Sequence, residues 1–169
     1  MKILLGSHGV GKSTLLKAVS EKFANYYVTD GFSRPVFKIA KQLDFSDYEK
    51  QLVINELSTW AYQNYLSHKY VISTRSIVDC ILYTQIINPT MDTSEMVKLF
   101  DKTQEQVEYF FYIPIEFGFV YDPDRLNEEL QNKVDAVIVS FMEKHIPTEK
   151  IIKVTGSVEE RLDIMSKYL

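Results

Sequence analysis

The chain has a single cysteine, Cys80, a single tryptophan, Trp60, and four arginines against fifteen lysines. One cysteine cannot close an internal disulfide, so stability does not depend on oxidation and a reducing, cytoplasmic setting is expected. Six glycines and five prolines are too few for a collagen-like or low-complexity chain. No apolar run approaches the roughly 18 residues of a membrane span, so no membrane partner is expected. Met1-Lys2 leads directly into Ile3-Leu4-Leu5, too short for the core of a secretory signal. Excess positive charge is also lacking. The formal net charge is −4, against what a dedicated non-specific DNA binder carries. The apolar fraction, 46%, and the charged fraction, 25%, are ordinary for a globular domain and exclude a disordered tail. At 169 residues one domain over 1–169 is expected, burying roughly 70% of the surface of its unfolded chain.

There is no repeat and no Gly/Ser linker. Strand-like apolar runs alternate with helical patterns, which predicts an α/β fold with a parallel sheet. Strands are expected at Lys2–Leu5, Tyr26–Thr29, Tyr70–Ser73, Tyr109–Ile113 and Ile151–Val154. Helices are expected at Lys12–Phe23, Asp47–Ser67, Ser76–Ile87, Asp92–Thr103, Arg125–His145 and Val158–Tyr168. In the second of these, Leu52, Ile54, Leu57, Trp60, Ala61 and Tyr65 fall largely on one face.

The strongest local signal is Gly6-Ser7-His8-Gly9-Val10-Gly11-Lys12-Ser13, continued by Thr14. It fits G-x-x-x-x-G-K-[ST], placed between an apolar strand and an amphipathic helix. Such a loop turns successive backbone N–H groups inward, and the following helix N-terminus adds to their pull on a polyphosphate. Lys12 is expected on the outer phosphates and the Ser13 hydroxyl on Mg²⁺. His8 occupies a variable position and reads as a solvent-facing loop residue. Asn132-Lys133-Val134-Asp135 matches a guanine-recognition pattern by letter, but Val134 continues a helical stripe and no Asp has Gly three residues on, so the match is read as chance.

The ends of the expected strands carry the remaining candidates. After the second comes Asp30, with Phe32 and Arg34; a carboxylate there faces the same crevice as the loop and is suited to accept a proton from an attacking hydroxyl. After the third come Thr74, Arg75, Asp79 and Tyr83, the last two on one helical face. A guanidinium at Arg75 suits phosphate charge in flight. Residues around 115–127, with Asp122 and Arg125, read as a lid that excludes water. Gly156 and Ser157 follow the fifth strand, Gly156 at a base edge and Ser157 capping a helix with Glu160. Phe32, Phe37, Trp60 and Tyr83 are candidates for the wall of a base pocket, with core packing the default for each.

Taken in order, these segments resemble the P-loop nucleoside and nucleotide kinases, in particular the small ATPase/kinase family allied to ribosylnicotinamide kinases, with deoxynucleoside and thymidylate kinases more distant. The resemblance covers almost the whole chain: Gly6–Ser13, then Asp30 and Arg34, then Arg75, Ser76, Asp79 and Tyr83, then Asp122 and Arg125, then Gly156–Arg161. All four arginines fall on these segments. The resemblance implies a three-layer P-loop fold with five parallel strands in the order 2-3-1-4-5. It implies ATP and Mg²⁺ as cofactors and a nucleoside or nucleotide as phosphoryl acceptor. The catalytic set would be Lys12, Asp30, Arg34, Arg75 and Arg125. Asp30, Phe32, Arg34, Trp60, Arg75, Asp79 and Tyr83 would hold the acceptor, and Gly6–Thr14 with Gly156 and Ser157 would hold ATP. Such kinases are frequent in phages and often homodimeric. The sequence departs from the family at Thr74, where an acidic residue usually precedes the arginine; a hydroxyl supplies no charge, so either Asp79 or Asp30 compensates, or catalysis is weakened or diverted. Two other readings stand beside a small-molecule kinase: a kinase of a hydroxymethylated base within DNA, and a non-catalytic ATP-binding switch.

Overall fold

The computed structural model describes residues 1–74, 76–119 and 127–169. Arg75, Arg125 and most of the expected lid, 120–126, lie outside the described residues. The five strands are β1 (Lys2–Leu5), β2 (Tyr27–Thr29), β3 (Val71–Ser73), β4 (Tyr109–Tyr112) and β5 (Ile151–Lys153). They form one sheet in the order β2-β3-β1-β4-β5, and every neighbouring pair is parallel. This is the order that the sequence implies.

Parallel strands need helical crossovers, and these cover both faces of the sheet. The helices are α1 (Lys12–Lys22), α2 (Ser33–Leu43), α3 (Asp47–Tyr65), α4 (Ile77–Ile87), α5 (Ser94–Thr103), α6 (Glu128–His145) and α7 (Val158–Ser166). The two-residue period of the strands divides the core in two. Ile3, Leu5, Phe110 and Tyr112 point to one side and pack with residues of α3, α4, α5 and α6, among them Tyr62, Ile81, Phe100 and Ile138. Leu4, Ile72, Phe111 and Ile113 point to the other and meet Leu15, Leu16 and Val19 of α1 and Met165 of α7. The result is a three-layer sandwich whose strand ends all open the same way.

Two features differ from the sequence-based expectation. Helix α2 is not among the predicted elements. Pro35 lies in its first turn, where a fixed φ fits a helix and no intrahelical N–H is lost; Val36 and Ala40, four apart, are buried, and Asp44 ends the helix in a left-handed conformation with φ 53°. Helix α3 buries Ile54 and Ala61 of its expected apolar face, but Leu52, Leu57 and Trp60 are exposed. Gln51, Asn55 and Ser58 are buried on it instead. The two amides are paired there: Gln51 Nε2 donates to Asn55 Oδ1 at 2.9 Å and to Thr84 Oγ1 of α4 at 3.1 Å, and Asn55 Nδ2 donates to Thr84 Oγ1 at 2.9 Å. The Asn132–Asp135 segment lies inside α6, as a helical reading requires.

Candidate active site

β1 runs into the loop Gly6–Ser13, which delivers the chain to α1. The backbone explains the glycines. Gly6 has φ 152°, and a Cβ there would stand 2.5 Å from the Ile113 carbonyl oxygen; Gly11 has φ 91° and a Cβ would meet Arg161 Nη1 at 3.1 Å. Gly11 is also the N-cap of α1 and makes no side-chain cap, so the first amides of the helix stay available to an anion. Lys12 Nζ donates to the carbonyls of Gly6 at 2.5 Å and Ser7 at 2.7 Å, which holds the ammonium across the loop.

The loop is fastened from two helices, α6 and α7, of which the sequence singled out only the Arg161 segment of α7. Gln131, buried on α6, donates from Nε2 to the His8 carbonyl at 2.6 Å. Arg161, buried on α7, donates from Nη1 to the Val10 carbonyl and from Nη2 to Glu116 Oε2, each at 2.8 Å. Glu116 in turn accepts the Gly156 N–H, at 3.0 Å to Oε2. Gly156 has φ 90°. Ser157 caps α7 in a reciprocal box with Glu160, whose carboxyl the backbone and hydroxyl of Ser157 hold below its usual range. The structure thus ties the Gly156 N–H to a carboxylate brace, and Gly156 and Ser157 do not line the pocket beside the loop.

That pocket opens between the loop, α2, α3 and α4. Lys12, Ser13, Thr14, Asp30, Arg34, Asp79 and Tyr83 all line it, with His8, Gln51, Phe37 and Cys80. The strand ends and the phosphate loop therefore share one cleft. His8 is half-buried, not solvent-facing: its Nδ1 lies 3.2 Å from the Tyr83 hydroxyl. Two expected wall residues sit elsewhere. Trp60 is 58% exposed on α3 and Phe32 packs against Val36, Ile54 and Cys80, and neither lines the cleft. Phe37, from the unforeseen helix α2, lines the cleft. Asp79 is 2% exposed and its Oδ2 accepts the Ser76 N–H at 3.0 Å in a capping box.

Gln51 is the polar side chain that sequence reasoning missed. A Gln among helical apolar residues gives no local signal. Its Nε2 is committed to Asn55 and Thr84. Asn55 is oriented by Met91, whose sulfur only accepts and takes the Asn55 Nδ2 hydrogen at 3.4 Å. Gln51 itself lines the cleft.

Asp30 sits at the centre of the charged end. Its Oδ2 accepts from Ser13 Oγ at 3.0 Å; its Oδ1 accepts from Thr74 Oγ1 at 2.5 Å and from the Gly31 N–H at 2.9 Å. Burial pushes its pKa up, but the Thr74, Gly31 and Ser13 hydrogen bonds and the charge of Arg34 outweigh that and hold the carboxyl below its ordinary value. Ser13 gives its proton to Asp30, which leaves the lone pairs of Oγ for a cation. A hydroxyl oxygen backed by one carboxylate suits Mg²⁺, which keeps several waters and takes ligands from phosphates. Among the described residues no group of three or more His, Cys, Asp or Glu could form an all-protein metal cage. Across the loop, Asp135 accepts from the Tyr112 hydroxyl at 3.0 Å. Burial pushes its carboxyl up, against the pull of Tyr112 and Lys12; burial and Asp135 together push the Tyr112 phenol up.

No protein-family model and no curated protein sequence matches the chain. Solved structures do. Deoxyadenosine kinase from M. mycoides aligns with a TM-score of 0.68 at 15% identity, over 99% of this chain and 98% of that one. NadR in complex with NR aligns at 0.71 and 15% identity, over 99% of this chain and 48% of that one. Thymidylate kinase from Candida albicans aligns at 0.67 and 15% identity, over 99% and 91%. These likenesses run over nearly the whole of a five-stranded parallel sheet with a glycine loop after its first strand, and they lead to one conclusion: this chain has the fold of the P-loop nucleoside and nucleotide kinases.

Proposed function

We propose that the protein transfers the γ-phosphoryl group of ATP to a hydroxyl or phosphate of a nucleoside or nucleotide. What carries this reading is the continuity of the cleft: the loop residues Lys12 and Ser13 and the strand-end residues Asp30 and Arg34 line the same cavity. A hydrolase needs room only for water, whereas a transferase needs an acceptor pocket against its phosphate loop.

Each residue has a role that follows from its place. The amides of Gly9–Ser13 and the N-terminus of α1 cradle the donor phosphates. Lys12 leaves the Gly6 and Ser7 carbonyls for the outer phosphates, exchanging two neutral acceptors for charged ones. Ser13 and Asp30 hold Mg²⁺, which supplies charge neutralisation on the transferred group. Arg34, on the cleft wall, meets the phosphate or the acceptor, and Asp30 orients the attacking group. Arg75 and Arg125 are assigned to the transferred charge on sequence grounds. Phe37 and Gln51 line the same cavity: Phe37 offers a flat face to a base and Gln51 a polar amide to its edge.

The test is ADP release from Mg·ATP over a panel of acceptors: nucleosides, nucleoside monophosphates, nicotinamide riboside and hydroxymethyluracil-containing DNA. Stimulation by a small acceptor is the expected result, and Lys12→Ala should remove it while leaving the melting curve in place. Stimulation by the DNA alone would move the assignment to base modification. ATP binding with no stimulation by any acceptor would leave the switch reading.

A further inference from the structure

We propose that Thr74 is a positioning residue for the metal side of the cleft, aiming the Asp30 carboxylate at Ser13. This rests on the kinase reading above and deepens it. The placement comes from sheet register. Thr29 of β2 pairs with Ser73 of β3, so Asp30 and Thr74 form the next rung, and the Thr74 N–H still reaches the Thr29 carbonyl at 3.1 Å. Thr74 is 1% exposed, so its hydroxyl has no water to turn to. It spends its one proton on Asp30 Oδ1 at 2.5 Å.

The consequence is directional. Thr74 and the Gly31 N–H both hold Oδ1, which fixes the plane of the carboxylate. Oδ2 is thereby turned onto Ser13 Oγ. An aspartate at an exposed strand end otherwise samples several rotamers. The hydrogen-bond donors on Asp30 are a threonine hydroxyl, a serine hydroxyl and a backbone amide, all neutral, and with the nearby charge of Arg34 they keep the carboxylate ionised beside Ser13. Outer groups that orient a ligand set are worth 10- to 100-fold in metal affinity. The hydroxyl at 74 acts in this way: it brings no charge of its own, and it directs the charge that β2 provides.

The measurement is the affinity of Mn²⁺·ATP, followed by the EPR signal of free Mn²⁺, beside ATP affinity in EDTA by displacement of a fluorescent analogue. Thr74→Val keeps the shape and loses the hydroxyl. It should weaken the Mn²⁺-dependent affinity by about 10- to 100-fold and leave the EDTA affinity unchanged, and Thr74→Ser should return the metal affinity toward the unsubstituted protein. A folded Thr74→Val with unaltered Mn²⁺·ATP affinity overturns the proposal. Should Thr74→Val not fold, Asp30→Asn decides: metal affinity kept in that variant overturns it as well. If the unsubstituted protein binds no Mn²⁺·ATP at all, the kinase reading falls, and this proposal with it.

Discussion

Two carboxylates grip the phosphate loop from opposite sides, and they are used differently. Asp30 meets the loop at Ser13 through neutral donors and keeps its charge. Glu116 meets it through Arg161, 4% exposed, which neutralises it at 2.8 Å and passes on to the Val10 carbonyl. The first arrangement leaves negative charge where a cation would come. The second cancels charge and converts it into a rigid link between α7 and the loop. A carboxylate held by neutral donors in a cleft keeps its charge; one matched to a buried guanidinium is a brace.

That contrast is open to attack from the brace side first. Arg161→Met should cost about 1–3 kcal/mol, because the Val10 carbonyl loses its partner in a buried place while Glu116, on the exposed side, regains water; denaturant unfolding measures it. A loss below about 1 kcal/mol, the range of an exposed pair, would mean that the link is not a brace. Asp135 sharpens the comparison next. Its pKa is raised in the fold, chiefly by burial, so its contribution is present below the ordinary carboxylate range and is lost as pH rises through the folded value. Asp135→Asn should therefore raise the melting temperature at neutral pH and change little under acid conditions. A neutral-pH melting temperature that falls would show that Lys12 repays the buried charge. Ser157→Ala removes the cap of α7 and should cost about 1 kcal/mol with Mn²⁺·ATP affinity kept, since the brace and not the cap reaches the loop. Trp60→Ala, on the exposed face of α3, should stay within about 0.5 kcal/mol and leave transfer unchanged; a drop in acceptor-dependent turnover would return Trp60 to the acceptor site.

Much of the fold was legible. The alternation of Ile3, Leu4 and Leu5 and of Phe110, Phe111 and Tyr112 assigns each side chain to a face, and the structure divides them that way. The phosphate loop is a contiguous motif and needs no tertiary information. Helix α2 was missed because its apolar signal is short: Val36 and Ala40 are buried, but Phe37, Ile39 and Leu43 are exposed. Helix α3 misled because apolar residues were assigned inward by type. Its inner face instead satisfies a hydrogen-bond network with Thr84, 33 residues from Gln51, and no local pattern announces a partner that distant.

Local chemistry determined the strand-ends-and-loop design of this protein: periodicity places apolar residues, and a run of glycines followed by Lys12 and Ser13 shapes an anion cradle wherever a strand feeds a helix. Tertiary structure alone decided which carboxylate keeps its charge in the cleft and which is matched to a guanidinium. Asp30 and Thr74 are 44 residues apart in the chain, and Arg161 and Val10 are 151 apart. Their meeting depends on strand register and on how α7 packs across α1, both set by the burial of the whole core and by no segment read alone.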